Sequence, residues 1–155
     1  MNAEGKTMTK AQLLDLIETL SPQKSFDLLQ NDKSSILVDV RTKAEWSYVG
    51  GTDLGVIGKA PVFLEWQSFP AMAVAGDFTA ALTSQLVAAG ATPETPLLFL
   101  CRSGVRSLAA ARAMAAAGFR RCINIAEGFE GPLDDKKHRG GREGWKARKL
   151  PWSQT

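Results

Sequence analysis

Histidine and cysteine are scarce in this chain of 155 residues, which has one histidine, His138, and two cysteines, Cys101 and Cys122. A structural zinc site takes about four Cys or His ligands, so these three residues cannot build one, and we expect neither a metal nor a cofactor. Two cysteines can form at most one disulfide. We expect both thiols to stay reduced, with Cys122 packed in the core, while a role for Cys122 as a resolving thiol stays open.

Long apolar runs are also absent. Arg102, Arg106 and Arg112 interrupt the most hydrophobic part of the chain, so no stretch of about 18 apolar residues is available for a transmembrane helix. Residues 1–6 are polar and no apolar segment follows them, which does not fit a secretory signal peptide. With 45% hydrophobic and 23% charged residues, the composition is typical of one globular domain, and we expect a cytoplasmic protein with no membrane partner.

The most informative feature that is present is a cysteine at the start of a short polar loop. Residues 101–107 read Cys-Arg-Ser-Gly-Val-Arg-Ser, between the apolar run Leu97–Leu100 and the alanine-rich residues 108–117. This pattern predicts a buried strand, a tight loop and a helix. Ligands bind at the carboxyl ends of strands in such sheets, and the first N–H groups of a helix attract an anion. Cys101 at this position is therefore predicted to ionise readily and to act as a nucleophile.

The remaining loop residues favour an anion-binding role. Gly104 allows the backbone conformation that inward-pointing N–H groups require. Two arginines add positive charge in a form suited to oxyanions, and Ser107 is placed either to cap the helix or to donate to the thiolate. A purely structural cysteine would not need these neighbours. The predicted anion-binding loop consists of Arg102, Ser103, Gly104, Val105, Arg106 and Ser107.

The loop resembles the active-site loop of the rhodanese family, sulfurtransferases that carry sulfur as a cysteine persulfide. Two further elements agree with this resemblance. Residues 36–46 are similar to the family's first signature, a strand ending in Asp-Val-Arg and followed by an acidic and an aromatic residue, and residues 127–129 resemble its glycine-containing turn after the last strand. The resemblance covers roughly residues 20–152. Residues 48–58 depart from it, because they lack the Gly-His-Ile-Pro-Gly-Ala motif that most members carry there.

Strand-like and helix-like segments alternate along the chain, which predicts right-handed crossovers and a parallel sheet covered on both faces. The resemblance likewise implies a three-layer α/β sandwich around a central parallel sheet of about five strands. We expect a partly disordered or helical N-terminal extension over residues 1–19, a rhodanese-like domain over 20–133 and a basic C-terminal segment over 134–155. Capping patterns predict helix starts at Thr9, continuing through Leu20, and at Ser21, Thr42 and Asp77. Strands are predicted at residues 36–40 and 62–66, and from Leu97 and Cys122.

Three charged residues near the second predicted strand allow different roles. Asp39 ends that strand and would lie near Cys101 if the two strands are neighbours. It then either orients an arginine of the loop or serves as an ordinary capping or turn residue, and both interpretations stay open. Arg41 and Glu45 are four residues apart and are predicted to pair with each other.

The C-terminal segment is strongly basic. Residues 134–149 contain seven Lys or Arg and three Asp or Glu, a local charge of +4. Such a run attracts nucleic acid, but charge runs are usually just solvated, and Trp145 and Trp152 suggest anchoring to the domain. We therefore expect no nucleic-acid partner, and we expect His138 to be an ordinary surface residue.

The resemblance implies a sulfurtransferase with a double-displacement mechanism. The Cys101 thiolate would take the outer sulfur of a donor such as thiosulfate or a persulfide, with the departing sulfite stabilised by Arg102 and Arg106. The backbone N–H groups of residues 102–106 would hold the resulting persulfide. Cyanide or a thiol would then accept the sulfur. No general base is needed, because the nucleophile is already ionised.

Three alternatives stay open. Cysteine-dependent phosphatases and arsenate reductases use a similar loop with five residues between Cys and Arg, whereas Cys101 and Arg106 enclose four. A persulfide relay would receive sulfur from a protein partner and turn over slowly with thiosulfate. A non-catalytic interaction domain of the same family would lack the cysteine that is present here.

Overall fold

The computed structural model describes residues 17–68, 73–74 and 77–154, built around a five-stranded sheet. In chain order the described elements are β1 (Glu18–Leu20), α1 (Pro22–Asn31), β2 (Ile36–Asp39), α2 (Lys43–Tyr48), β3 (Gly51–Thr52), a 3-10 turn (Gly55–Ile57), β4 (Val62–Phe63), β5 (Gln67–Ser68), β6 (Ala73–Val74), α3 (Phe78–Ala88), β7 (Leu97–Leu100), α4 (Val105–Ala116), β8 (Cys122–Ile125) and β9 (Trp152–Ser153). The sheet has the order β1-β8-β7-β2-β4, and every neighbouring pair is parallel. This confirms the predicted parallel sheet of about five strands.

Both faces of the sheet are covered, which confirms the three-layer α/β sandwich. The residues of β7 and β8 are all buried, as expected for strands that lie between two layers. On one face, α3 and α4 pack through apolar side chains such as Leu82 and Met114. On the other face, Leu29 of α1 packs with Trp145 and Leu150 from the C-terminal segment. β7 is the central strand of the sheet. Cys101, which follows it, therefore lies in the middle of the sheet edge formed by the carboxyl ends of the strands.

The local capping signals predict three helix starts correctly, at Ser21, Thr42 and Asp77. Ser21 caps α1 and accepts a hydrogen bond from the N–H of Lys24, with Pro22 in the first turn. Thr42 and Glu45 form the predicted capping box at the start of α2. Asp77 stands at the N-cap of α3 without a side-chain capping bond. The strand predicted over residues 62–66 is shorter, because only Val62–Phe63 form β4 at the sheet edge.

The helix predicted from Thr9 through Leu20 is wrong over the part that the structure describes. Residues 18–20 form β1, which pairs in parallel with Ile123–Ile125 of β8, while the predicted start at Thr9 lies outside the described residues. Without β1, the edge of β8 would carry unpaired backbone N–H and C=O groups. The hydrogen bonds gained in this pairing override a weak local preference for helix.

The C-terminal segment contributes to the packed domain. Trp145 is fully buried and donates its indole N–H to the carbonyl of Pro151 at 2.8 Å. Strand β9 pairs antiparallel with β3, so Trp152 lies opposite Thr52. The segment that departs from the family motif is therefore joined to the end of the chain. Among the described residues, no helix is long and apolar enough to cross a membrane.

Candidate active site

Cys101 lies at the carboxyl end of β7. The last residue of β7, Leu100, pairs with Asp39 at the end of β2, and α4 begins at Val105 after loop residues 102–104. Cys101 is 1% exposed, so the loop encloses its side chain. Strand, loop and helix follow in the predicted order. The thiol therefore stands at the edge of the sheet where parallel α/β folds bind their ligands.

Gly104 connects the loop to the helix and contacts the sulfur. It is the N-cap of α4, with a φ of 114° that side chains rarely allow. Its backbone N–H donates to Cys101 Sγ at 3.1 Å. The partial positive charge of the helix N-terminus is thus directed at the sulfur.

Ser107 and Asn124 extend this contact into a short chain of buried polar groups. The Ser107 Oγ lies 3.1 Å from Cys101 Sγ and donates to Asn124 Oδ1 at 2.6 Å. Asn124 in turn donates its Nδ2 to the carbonyl of Gly104 at 3.2 Å. Because Gly104 is the N-cap, the structure favours the sulfur contact as the role of Ser107. Asn124 was missed by sequence reasoning, although a lone polar residue in the apolar strand Cys122–Ile125 was an available signal.

Ser107→Ala is expected to slow alkylation of Cys101 by iodoacetamide at pH 7 by about tenfold. A hydrogen bond to a charged group is worth roughly 1.5–3 kcal/mol, and the lower end applies because the single hydroxyl hydrogen must turn away from Asn124 to reach the thiolate. The rate is followed by intact mass in a Cys122→Ser background, so that only Cys101 is labelled. An unchanged alkylation rate would show that the Ser107 hydroxyl binds only Asn124 and does not stabilise the Cys101 thiolate.

Arg106 is held by a carboxylate from a distant part of the chain. Its Nη1 and Nη2 donate to Glu45 Oε1 and Oε2 at 2.6 and 3.0 Å. The two side chains are only 14% and 17% exposed. The predicted pair between Arg41 and Glu45 is therefore wrong. Arg41 precedes the N-cap Thr42 and is not part of α2, so the four-residue spacing that brings side chains together on a helix does not apply to it.

Both members of this pair are shifted toward their charged forms. Burial acts to raise the pKa of Glu45, but the hydrogen bonds and charge of Arg106, with Thr42, outweigh it and leave that pKa below its ordinary value. Burial acts to lower the pKa of Arg106, and Glu45 outweighs it, with a smaller contribution from Cys101. The pair is therefore fully ionised at neutral pH.

Glu45→Gln is expected to lower the melting temperature at pH 7, with a difference from wild type that disappears in acid. The folded-state pKa of Glu45 lies below the value of about 4.3 typical of an unfolded chain. Its ionisation therefore stabilises the fold above that pH, and the contribution is lost as pH falls through the lowered folded-state pKa. Melting both proteins between pH 7 and pH 3 checks this. A difference that persists undiminished at the acid end would assign the loss to packing instead of charge.

Asp39 binds Arg41 and does not contact an arginine of the loop. Arg41 Nη2 and Nε donate to the Asp39 carboxylate at 2.8 and 3.0 Å, and both side chains are fully buried. Arg41 also donates to the carbonyl of Gly50 and lies over the ring of Phe129, 4.4 Å from its centroid. The hypothesis that Asp39 orients a loop arginine is thus corrected, because a nearer guanidinium occupies both carboxylate oxygens. The pair supports the active-site loop indirectly, because Arg41 packs on Phe129, which contacts the loop.

The turn after β8 fixes the first two peptide groups of the loop. Phe129 N–H donates to the Cys101 carbonyl at 2.8 Å, and the N–H groups of Glu130 and Gly131 donate to the Arg102 carbonyl at 3.0 and 3.1 Å. Gly128, with a φ of 67°, passes directly beneath these carbonyls. A Cβ at this position would lie 2.5 Å from the Arg102 carbonyl carbon and oxygen. The glycine predicted from the family resemblance therefore permits backbone contact between turn and loop.

The other loop residues face outward to different degrees. Arg102 and Val105 are exposed and Ser103 is partly buried. The structure therefore brings Gly104 and Ser107 to the sulfur, ties Arg106 to Glu45, and leaves Arg102 in contact with solvent. Among the described residues, no cluster of three or more His, Cys, Asp or Glu side chains could hold a metal ion.

Cys122 lies at the opposite end of the sheet from Cys101. It pairs with Leu97, the first residue of β7, whereas Cys101 follows the last. Burial raises the pKa of the Cys122 thiol to about 12, and Sγ contacts the carbonyl of Phe119. These observations favour core packing as its role and oppose a resolving thiol, which needs to ionise near the nucleophile.

Comparison with known proteins agrees with this geometry. A family model described as the Rhodanese-like domain matches residues 22–133. An uncharacterised protein of Rickettsia conorii, RC0915, is 35% identical over 136 residues, which cover 88% of this chain and 97% of that protein. The crystal structure of Rv0390 from M. tuberculosis matches with a TM-score of 0.80 and 38% identity, over 89% of this chain and 98% of that one.

A more distant structure shares the fold alone. The polysulfide-sulfur transferase homodimer of Wolinella succinogenes matches with a TM-score of 0.55 and 22% identity, over 94% of this chain and 85% of that one. The similarity shows that the same fold occurs at low sequence identity.

Proposed function

The chain belongs to the rhodanese-like domain family, a sulfurtransferase-type family, and from this premise we propose that it transfers sulfane sulfur through a persulfide on Cys101. The observation that carries the proposal is the position of Cys101 Sγ, which accepts the Gly104 N–H at the start of α4. A thiolate in this position needs no general base. The backbone donor that stabilises it can also stabilise the terminal sulfur of a persulfide, which carries the same charge one atom further out.

The reaction consists of two balanced displacements. The Cys101 thiolate attacks the outer sulfur of a donor such as thiosulfate, a new S–S bond forms, and sulfite leaves with the electron pair of the broken S–S bond. Cyanide or a thiol then attacks the outer sulfur of the persulfide. The acceptor keeps that sulfur, as thiocyanate or as a new persulfide, and the Cys101 thiolate is restored. No outside oxidant or reductant is needed.

The two loop arginines have different roles in this proposal. Arg102, whose side chain is exposed, is free to meet the anionic end of a donor or the departing sulfite. Arg106 is bound on both nitrogens by Glu45, so it supplies less net charge to the leaving group than the sequence suggested. We therefore expect sulfite to bind mainly at Arg102.

The test is a steady-state assay with thiosulfate as donor and cyanide as acceptor, in which thiocyanate is measured. We expect thiocyanate to form in proportion to enzyme concentration. An aryl phosphate serves as the comparison substrate, because a phosphatase would use the same kind of loop. Hydrolysis of the aryl phosphate without sulfur transfer from any sulfane donor would overturn the proposal.

A further inference from the structure

The buried charges beside Cys101 cancel. Arg106 donates two hydrogen bonds to the carboxylate of Glu45, and Arg41 donates to both carboxylate oxygens of Asp39. Each guanidinium is thus matched by one carboxylate at low exposure. A donor that approaches the sulfur therefore meets two ion pairs that are each neutral overall, and Arg102, exposed at the surface of the loop, is the loop arginine left to attract an anion.

Glu45 is fixed in place by its own helix, independently of Arg106. Its Oε1 accepts the N–H of Thr42 at 3.2 Å and lies 3.1 Å from the Thr42 hydroxyl, as part of the capping box of α2. If Arg106 turned toward a bound anion, it would leave this carboxylate largely buried without its partner, which is costly. Glu45 therefore competes with an incoming anion for the Arg106 guanidinium.

We propose that Glu45 determines the charge of the sulfur donor, so that the site accepts low-charge sulfane donors such as thiol persulfides and organic thiosulfonates in preference to the dianion thiosulfate. This inference rests on the proposed function and specifies its substrate class. The physical basis is that Glu45 cancels the charge of Arg106, so the repulsion between each negative charge on the donor and the Cys101 thiolate is not offset by that guanidinium. Removing one charge from the donor, or the charge of Glu45, relieves part of that repulsion.

Two donors that differ by one charge provide a direct probe. Thiosulfate is a dianion, and methanethiosulfonate is a monoanion in which a methyl group replaces one oxygen. With methanethiosulfonate, the Cys101 thiolate takes the outer sulfur and methanesulfinate leaves with the electron pair, so the persulfide formed is the same. The ratio of kcat/KM for thiosulfate to kcat/KM for methanethiosulfonate therefore reports how the site responds to charge on the donor.

The test variant is Glu45→Gln, which removes the charge and keeps an oxygen that can complete the capping box. Its matched control is Glu65→Gln. Glu65 also accepts a hydrogen bond at the start of α2, from the N–H of Lys43 at 3.0 Å, without being the partner of Arg106. Melting curves and circular dichroism at the assay temperature establish that both variants are folded before kinetics are measured.

We expect Glu45→Gln to raise the thiosulfate-to-methanethiosulfonate ratio by about tenfold, mainly through kcat/KM for thiosulfate, while Glu65→Gln leaves the ratio at the wild-type value. A ratio unchanged in Glu45→Gln, or an equal loss with both donors, would overturn the inference and make Glu45 a structural partner of Arg106. Absence of sulfur transfer from both donors in the wild-type protein would instead contradict the proposed function itself.

Discussion

Cys101→Ser is expected to abolish the transfer of sulfur from thiosulfate to cyanide, with kcat reduced by at least about 10³-fold. A serine hydroxyl is a far weaker nucleophile than a thiolate and cannot form a persulfide, so no partial mechanism replaces the missing step. The substitution changes one buried atom, and the contacts to Gly104 N–H and Ser107 Oγ suit an oxygen as well as a sulfur. We therefore expect circular dichroism and the melting temperature to remain close to those of the wild-type protein.

Cys122→Ser is the matched control for this variant. Cys122 is buried at the other end of the sheet, and its raised pKa keeps it uncharged at neutral pH. Its replacement is expected to lower stability modestly and to leave kcat within about twofold of wild type, because a polar group in the core costs roughly 1–3 kcal/mol without touching the loop. Equal loss of activity in both serine variants would contradict the assignment of Cys101 as the only sulfur carrier.

Gly128→Ala is expected to remove most of the activity and to lower stability. The new Cβ would lie 2.5 Å from the Arg102 carbonyl and 2.6 Å from the Cys101 carbonyl oxygen, atoms that belong to backbone and cannot move without moving the loop. Overpacking of this kind typically costs about 1–3 kcal/mol. A backbone shift that relieves this clash would displace the peptide groups that position Cys101 and Gly104. We therefore expect kcat/KM to fall at least about tenfold, measured as thiocyanate formation with protein shown to be folded.

Gly58→Ala separates the effect of crowding from that of backbone conformation. Gly58 has a φ of 71°, close to the 67° of Gly128, but among the described residues no heavy atom beyond its chain neighbours lies within 4 Å of the Cβ that alanine would add. Gly58→Ala is therefore expected to lower the free energy of unfolding by only about 1 kcal/mol, the conformational cost of a positive φ, and to keep wild-type activity. If the two variants lost activity equally, the close contact between the turn and the loop would not be the cause.

The local parts of the site are predictable from short stretches of sequence. The order of strand, loop and helix around Cys101 follows from an apolar run, a glycine and an alanine-rich segment. The capping box between Thr42 and Glu45 follows from their spacing in the same way. Each depends on interactions within a few residues, so the sequence contains all the necessary information.

The long-range parts are not predictable in this way. Glu45 binds Arg106, which lies 61 residues further along the chain, and this contact depends on the adjacency of β2 and β7. The four-residue spacing from Arg41 suggested a different partner and was misleading, because Arg41 turns inward to Asp39 before the helix begins. A single sequence gives no signal that distinguishes these two pairings.

The same limit applies to the edges of the fold. β1 forms because it can pair in parallel with β8, and β9 forms because it can pair antiparallel with β3, while their own residues carry weak local preferences. The role of Asn124 is also set by tertiary contacts. It can be recognised only once the fold places Gly104 and Ser107 beside β8. Tertiary neighbours decide all three features.

The most direct measurement is the intact mass of the purified protein before and after incubation with thiosulfate or methanethiosulfonate. A persulfide on Cys101 predicts a gain of one sulfur atom, located on the peptide that contains residue 101, removed by cyanide, retained in Cys122→Ser and absent in Cys101→Ser. No gain with either donor, or a gain that survives in Cys101→Ser, would contradict a sulfur-carrying role for Cys101.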